Sequence, residues 1–146
     1  MKLESIETFS TRYVGFVRVT DETGATGWGQ LSTYNSDISA LVLHRQVAPW
    51  TLGVEITDLD DHLDIITERE HKFPGSYLRR AIGNAGDYLE FSIEGADYSP
   101  WQYGLFRNDP YRIVDGKATV TDEPGWGMEI EPEWLAKSTY QISERN

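Results

Sequence analysis

Three runs of strand-forming residues fit into the first 31 positions, and the links between them are too short for anything but antiparallel pairing. Leu3, Ile6 and Phe9 belong to the first run, Val14, Phe16, Val17 and Val19 to the second, and Trp28 and Leu31 to the third. β-Branched and aromatic side chains in near-alternating order suit half-buried strands. A parallel crossover needs about a dozen residues or more, whereas Thr20-Asp21-Glu22-Thr23-Gly24 offers only a turn, ending in a glycine that tolerates positive φ. A three-stranded antiparallel meander is predicted.

The periodicity then changes to helical. Ser36 is expected to cap a helix through Ile38, Leu41, Val42 and Val47, with Pro49 and Gly53 as its stop signal. Thr57 is expected to cap a second helix, with Asp58, Asp60 and Asp61 beside the positive end of its dipole and Leu59, Leu63 and Ile66 on one face. Pro74-Gly75-Ser76 opens a third, running from Tyr77 to about Ile82 and cut short by the breaker Gly83-Asn84-Ala85-Gly86-Asp87. Alternation returns in Tyr88-Leu89-Glu90-Phe91-Ser92-Ile93-Glu94, followed by an aromatic loop with Tyr98, Trp101, Tyr103 and Phe106. Asp115-Gly116 marks a hairpin turn, and Pro132 starts a short helix that gives way to a tail. The fold class is α+β: the meander, a helical bundle, and C-terminal strands and hairpin that pack back on it, in one domain spanning residues 1–146.

At 146 residues, with 39% hydrophobic and 12% aromatic side chains, the chain has enough apolar surface for its own core. Its formal charge of −11 leaves no basic stripe to neutralise phosphates, so nucleic acid is not an expected partner. The chain contains no cysteine, which removes disulfides and thiolate chemistry. No stretch approaches the roughly 18 apolar residues of a membrane span, and Met1-Lys2-Leu3-Glu4 does not start an apolar leader. No membrane partner and a cytoplasmic location are expected.

Motifs of chemistry are sparse. His44, His62 and His71 are not spaced as a helical metal pair, and the acidic run from Glu55 to Asp64 has Leu59 and Leu63 where a calcium loop needs oxygen ligands. Gly24, Gly27 and Gly29 precede no helix that could receive a phosphate, and no serine stands in a nucleophile-elbow motif. The four lysines Lys2, Lys72, Lys117 and Lys137 form no acid–base pair.

Two stretches carry a resemblance. Met1-Lys2-Leu3-Glu4-Ser5-Ile6-Glu7-Thr8 and Gly24-Ala25-Thr26-Gly27-Trp28-Gly29-Gln30 resemble the opening of a mandelate racemase/muconate-lactonizing-type enolase-superfamily protein, with Gln30 where that family commonly has Glu. Val47-Ala48-Pro49-Trp50-Thr51-Leu52-Gly53 and Gly75-Ser76-Tyr77-Leu78-Arg79-Arg80-Ala81-Ile82-Gly83 are similar to the helices of its capping domain. From Tyr88 onward, including Pro124-Gly125-Trp126-Gly127-Met128-Glu129-Ile130, the chain resembles the C-terminal return of the family onto its cap. Residues 1–83 and 88–146 thus read as two cap segments, with 84–87 as a splice where the family places a (β/α)₇β barrel. Such a barrel takes about 200–250 residues and has no room here.

The resemblance implies consequences for function. The family's magnesium ligands and acid–base residues lie on the barrel, so no catalytic residue, metal ligand or cofactor carries over, and the chain is expected not to be an enzyme. What a cap supplies is substrate selection, through loops that correspond to residues 10–14 and 32–35, and Tyr13, Tyr34 and Asn35 are the expected substrate-facing side chains. The leading expectation is an isolated, engineered capping domain with the barrel deleted, able to self-associate through its former barrel-facing surface. Two alternatives stay open: a specificity subunit working in trans with a separate barrel in a magnesium-dependent sugar-acid dehydratase or racemase, and a small ligand- or protein-binding module using the aromatic loop.

Overall fold

A computed structural model describes residues 1–31, 33–70, 104–107, 113–115, 117–118, 123 and 127–145. The chain forms two compact units, one of Met1–Gly83 with Thr139–Asn146 and the other of Asn84–Ser138. The expected third helix, the junction 84–87, the run 88–94 and the aromatics Tyr98, Trp101 and Tyr103 lie outside the described residues.

The first unit is built on the predicted meander. Strands β1 (Leu3–Ser10), β2 (Gly15–Asp21) and β3 (Thr26–Gln30) pair antiparallel in sequence order. At the β2–β3 turn, the Asp21 carboxylate accepts from the Thr23 hydroxyl at 2.6 Å, the Thr23 amide at 2.8 Å and the Ala25 amide at 3.0 Å. The Thr23 hydroxyl bond leads in holding the Asp21 carboxyl below its ordinary range. Gly24 closes the turn at φ +85°, where a side chain would be strained.

The C-terminal residues after Lys137 are not a tail. Thr139–Glu144 form a fourth strand, β6, paired antiparallel with the other edge of β1, so the sheet order is β3-β2-β1-β6. The α+β class and the capping-domain arrangement stand, with four strands in the sheet instead of three.

Side-chain alternation divides the sheet into two faces. Ile6, Thr8 and Ser10 of β1 are buried on the side that meets the helices. Glu7, Phe9, Phe16, Arg18 and Trp28 share the opposite side, as the register Phe9↔Phe16, Glu7↔Arg18 and Arg18↔Trp28 requires. Gly15 starts β2 where a Cβ would lie 2.9 Å from Leu31 and 3.2 Å from the Cβ atoms of Ser10 and Ser36. Only glycine lets the helix start approach the hairpin so closely.

The helices differ from expectation at their ends. Helix α1 (Ser36–Val42) has Asn35, not Ser36, at its N-cap, in a left-handed conformation and without a side-chain cap bond. Ser36 is fully buried as the first helical residue. A π-helical turn, Leu43–Val47, joins α1 to α2 (Ala48–Thr51), so the helix passes through Pro49 and stops before Gly53 at φ +71°. Proline clashes with the carbonyl four residues back, and the wider turn just before it is where a helix absorbs that conflict.

Helix α3 (Leu59–Arg69) is capped by Asp58 instead of Thr57: the Asp58 carboxylate accepts from the Asp61 amide at 3.0 Å. Its buried residues are His62 and Ile66, while Leu59 is half exposed, so the burial stripe is rotated from the one expected. Among the described residues of this unit, Leu3, Ile6, Val14, Phe16, Leu31, Ala40, Val47, Ala48, Ile56 and Ile66 are the buried apolar side chains.

In the second unit, β4 (Ile113–Val114) and β5 (Lys117–Ala118) form the predicted hairpin, with Asp115 at φ +50° in its turn. Helix α4 (Pro132–Lys137) starts at its proline, as expected. Leu105 is buried, and main-chain bonds from Arg107 to Glu129 and from Glu131 to Leu105 join the segments around Phe106 and Ile130. The Arg107 guanidinium lies between the Glu129 and Glu131 carboxylates, at 3.5 and 4.0 Å.

Candidate functional site

The β1–β2 connection is short and internally bonded. The Thr11 hydroxyl accepts from the Tyr13 and Val14 amides at 3.2 and 3.3 Å, and the Thr11 amide donates to the Val14 carbonyl at 2.9 Å. Val14 is 1% exposed and pins the loop to the core, which leaves Arg12 and Tyr13 projecting. The chain leaving β3 is fastened to this loop by its main chain. Leu31 donates to the Gly15 carbonyl at 2.8 Å, Tyr34 to the Tyr13 carbonyl at 2.8 Å and Ser36 to the Arg12 carbonyl at 3.3 Å.

These bonds bring together the three residues singled out from sequence. The Tyr13 and Tyr34 rings meet edge to face, 6.2 Å between centroids and 81° between planes, and the Arg12 guanidinium lies 5.8 Å from the Tyr13 ring. Tyr13 is 41% exposed and Tyr34 50%, and Asn35 beside them is also exposed. Tyr34 and Asn35 are adjacent non-glycine residues at φ +60° and +57°. For a tyrosine that conformation costs of order 1–3 kcal/mol, and such strain concentrates at ligand-binding sites. The arrangement presents two phenol hydroxyls, an amide and a guanidinium on a braced backbone. It can stack on and hydrogen-bond a polar organic ligand.

Two other clusters escaped the reading from sequence. On the outer sheet face the Glu7 carboxylate takes two bonds from Arg18, at 2.6 and 2.7 Å, and one from the Tyr140 hydroxyl at 2.9 Å. The Arg18 guanidinium in turn lies 5.5 Å from the Trp28 ring and 5.9 Å from the Phe9 ring. Its bond is the main reason the Glu7 carboxyl is held below the ordinary value of 4.5, against the opposing effect of burial. Glu7 and Arg18 stand symmetrically about the hairpin loop, so pairing arithmetic on residues 7 and 18 could have found them. Tyr140 gave no such signal, 133 residues away.

On the helix-facing side, the His44 imidazole bridges two hydroxyls: Nε2 is 2.9 Å from Thr8 Oγ1 and Nδ1 is 2.7 Å from Ser143 Oγ. Burial pushes the imidazole below its ordinary range and so favours its neutral form. His62 is buried too, with its Nε2 3.4 Å from Thr51 Oγ1.

No group of three or more His, Asp or Glu side chains converges among the described residues in a way that could hold a metal ion. The described residues therefore do not fit a magnesium site. Among the described residues no helix is long and apolar enough to cross a membrane.

No family model matches the chain, and no curated protein matches it. Among solved structures, a candidate racemase from Roseobacter denitrificans superposes with a TM-score of 0.91 at 29% identity, covering 99% of this chain and 100% of that one. A mandelate racemase/muconate lactonizing protein from Paracoccus denitrificans, solved with magnesium, matches at 32% identity over 51% of this chain and 21% of its own, with a TM-score of 0.45. A further structure under that description and from that organism matches at 28% identity over the same shares, with a TM-score of 0.42. The chain spans about a fifth of these Paracoccus proteins.

Proposed function

We propose that this chain, whose fold is that of the capping domain of a mandelate racemase/muconate-lactonizing-type enolase-superfamily protein, selects substrate for catalytic groups carried elsewhere and does not itself turn over the acid it selects. The observation that carries the reading is the main-chain fastening of the two loops, which sets Tyr13, Tyr34 and Asn35 side by side on a rigid sheet end. A site that must discriminate among substrates benefits from preorganised contacts, because little further ordering is then needed on binding. In this reading Tyr13, Tyr34 and Asn35 contact substrate, and the catalytic body supplies the opposite wall, the acid–base groups and any magnesium.

The specificity-subunit version, acting in trans in a magnesium-dependent dehydratase or racemase of sugar acids, is favoured over a single engineered deletion by one finding. The Roseobacter chain, only 29% identical, matches from end to end. Ile38 at 51% and Leu41 at 38% exposure, three residues apart on α1, and Tyr34 at 50% in the loop before it leave apolar surface suited to a catalytic body or a second copy.

The test is turnover of a panel of 2-hydroxy acids with magnesium, by the chain alone and mixed with the barrel portion of a Paracoccus relative. No turnover alone and restored turnover on mixing are expected. Tyr34→Ala should then change the ratio of kcat/KM between preferred and poor substrates by about tenfold, the scale of one lost pocket contact. Turnover of a 2-hydroxy acid by the chain alone overturns the proposal.

A further inference from the structure

Apart from the loop site, a groove runs beside β6. Its open volume is about 460 Å3, and its lining includes His44, Pro49, Leu52, Gly53, Ser143 and Arg145. Two groups lining this groove and a third behind them stand in an order that nucleophilic catalysis requires: a half-buried serine hydroxyl, an imidazole 2.7 Å from it, and, beneath the groove, a fully buried hydroxyl 2.9 Å from the far ring nitrogen. We propose that Ser143 and His44 form a serine nucleophile and general base that accept the acyl group of small esters, with Thr8 as the positioning residue for the imidazole.

Geometry supports each role. With Nε2 protonated and donating to Thr8 Oγ1, Nδ1 is the acceptor that faces the Ser143 hydroxyl. Thr8 is 0% exposed on β1, so the ring is aimed from a part of the sheet that does not move independently. His44 projects from the π-helical turn, a local widening that is common at functional positions in helices. A neutral imidazole is the form that can take a proton. Arg145 lies just past the end of β6, two residues after Ser143, and its guanidinium is bonded to Glu4 at 2.9 Å through Nη1. A Cβ on Gly53 would lie 3.0 Å from Arg145 Nε, so glycine there leaves that side chain its place against the groove.

The steps balance. Ser143 Oγ bonds to the ester carbonyl carbon as its proton passes to His44 Nδ1. The carbon–oxygen bond to the alcohol then breaks, and the leaving oxygen takes that proton. Water next attacks the acyl-serine, again through Nδ1, and releases the carboxylic acid with Ser143 restored; the net reaction is ester plus water to acid plus alcohol. Because Thr8 is uncharged, the imidazolium gains no ionic stabilisation, which restricts the reaction to esters with good leaving groups.

The whole 146-residue chain treated with p-nitrophenyl acetate should release a burst of about one equivalent of nitrophenolate and carry one acetyl group on Ser143, located by peptide mass mapping. Ser143→Ala should abolish the burst, Ser143→Cys should retain it as a thioester, and His44→Gln should slow it about a hundredfold. Thr8→Val should slow acylation while leaving the mapped position unchanged. Acetyl found on lysines or the N-terminal amine with Ser143 unmodified overturns the proposal. That map is read on the unaltered chain and does not depend on any variant folding.

Discussion

Strand β1 has a neighbour on each side, and the two are secured differently. β2 follows β1 after residues 11–14, whereas β6 begins at Thr139, with 128 residues between it and the end of β1. For a flexible connection each doubling of length adds about 0.6 kcal/mol of closure entropy, so the β6 side starts roughly 3 kcal/mol behind the hairpin side. β2 is held by ladder bonds, a short loop and the Arg18–Glu7 pair. β6 is fastened by side chains spread along it and just past its end: Tyr140 to Glu7, Ser143 to His44 and Arg145 to Glu4. A strand recruited from far along the chain depends on such pairs more heavily than a hairpin partner, whose short loop already holds it near.

The largest test removes apolar packing from the hairpin side. Phe16 is 0% exposed, and Phe16→Ala should lower the unfolding free energy by about 3–5 kcal/mol in denaturant titration. A loss under about 1 kcal/mol would mean that β2 contributes little to this core.

The next test strikes the carboxylate shared by both neighbours. Glu7→Gln should cost about 1–2 kcal/mol, toward the low end for a buried pair because Arg18 is 38% exposed at its side chain and reaches solvent. The Glu7 carboxyl titrates below its ordinary value of 4.5, so its stabilisation is complete above that pH and is lost as pH falls through the lower folded value. Melting temperature measured from pH 6 down to pH 3 should therefore fall less steeply in Glu7→Gln than in the parent. Parallel curves would separate the pair from acid stability.

The smallest effect is the most discriminating. Tyr140→Phe removes a single hydroxyl bond to a charged acceptor and should cost about 1 kcal/mol. Amide hydrogen exchange should quicken in β6 and stay unchanged in β2. Equal acceleration in both strands would dissolve the distinction between them.

How much of this could be read in advance follows the same divide. The meander, the Asp21–Gly24 turn, the Asp115 hairpin and the helix at Pro132 are local, governed by alternation, turn chemistry and proline geometry within a few residues. The helix caps were misplaced by one residue, at Asn35 for Ser36 and Asp58 for Thr57, since adjacent polar residues compete for a cap on nearly equal terms until the backbone's approach decides. The loops with Tyr13, Tyr34 and Asn35 were legible through family resemblance. Their fastening through main-chain bonds and the left-handed turn at Tyr34 were not.

By itself the sequence determined where the chain turns and which stretches alternate, because those choices are settled by side chains acting on their own backbone and near neighbours. Tertiary structure alone decided that residues 139–144 close the sheet, that His44 meets Ser143 across 99 positions, and that Glu7 answers both Arg18 and Tyr140. Hydrophobic pattern specifies which face of an element is buried but not which distant element covers it. That selection belongs to shape and hydrogen-bond complementarity, which exist only once the parts have met.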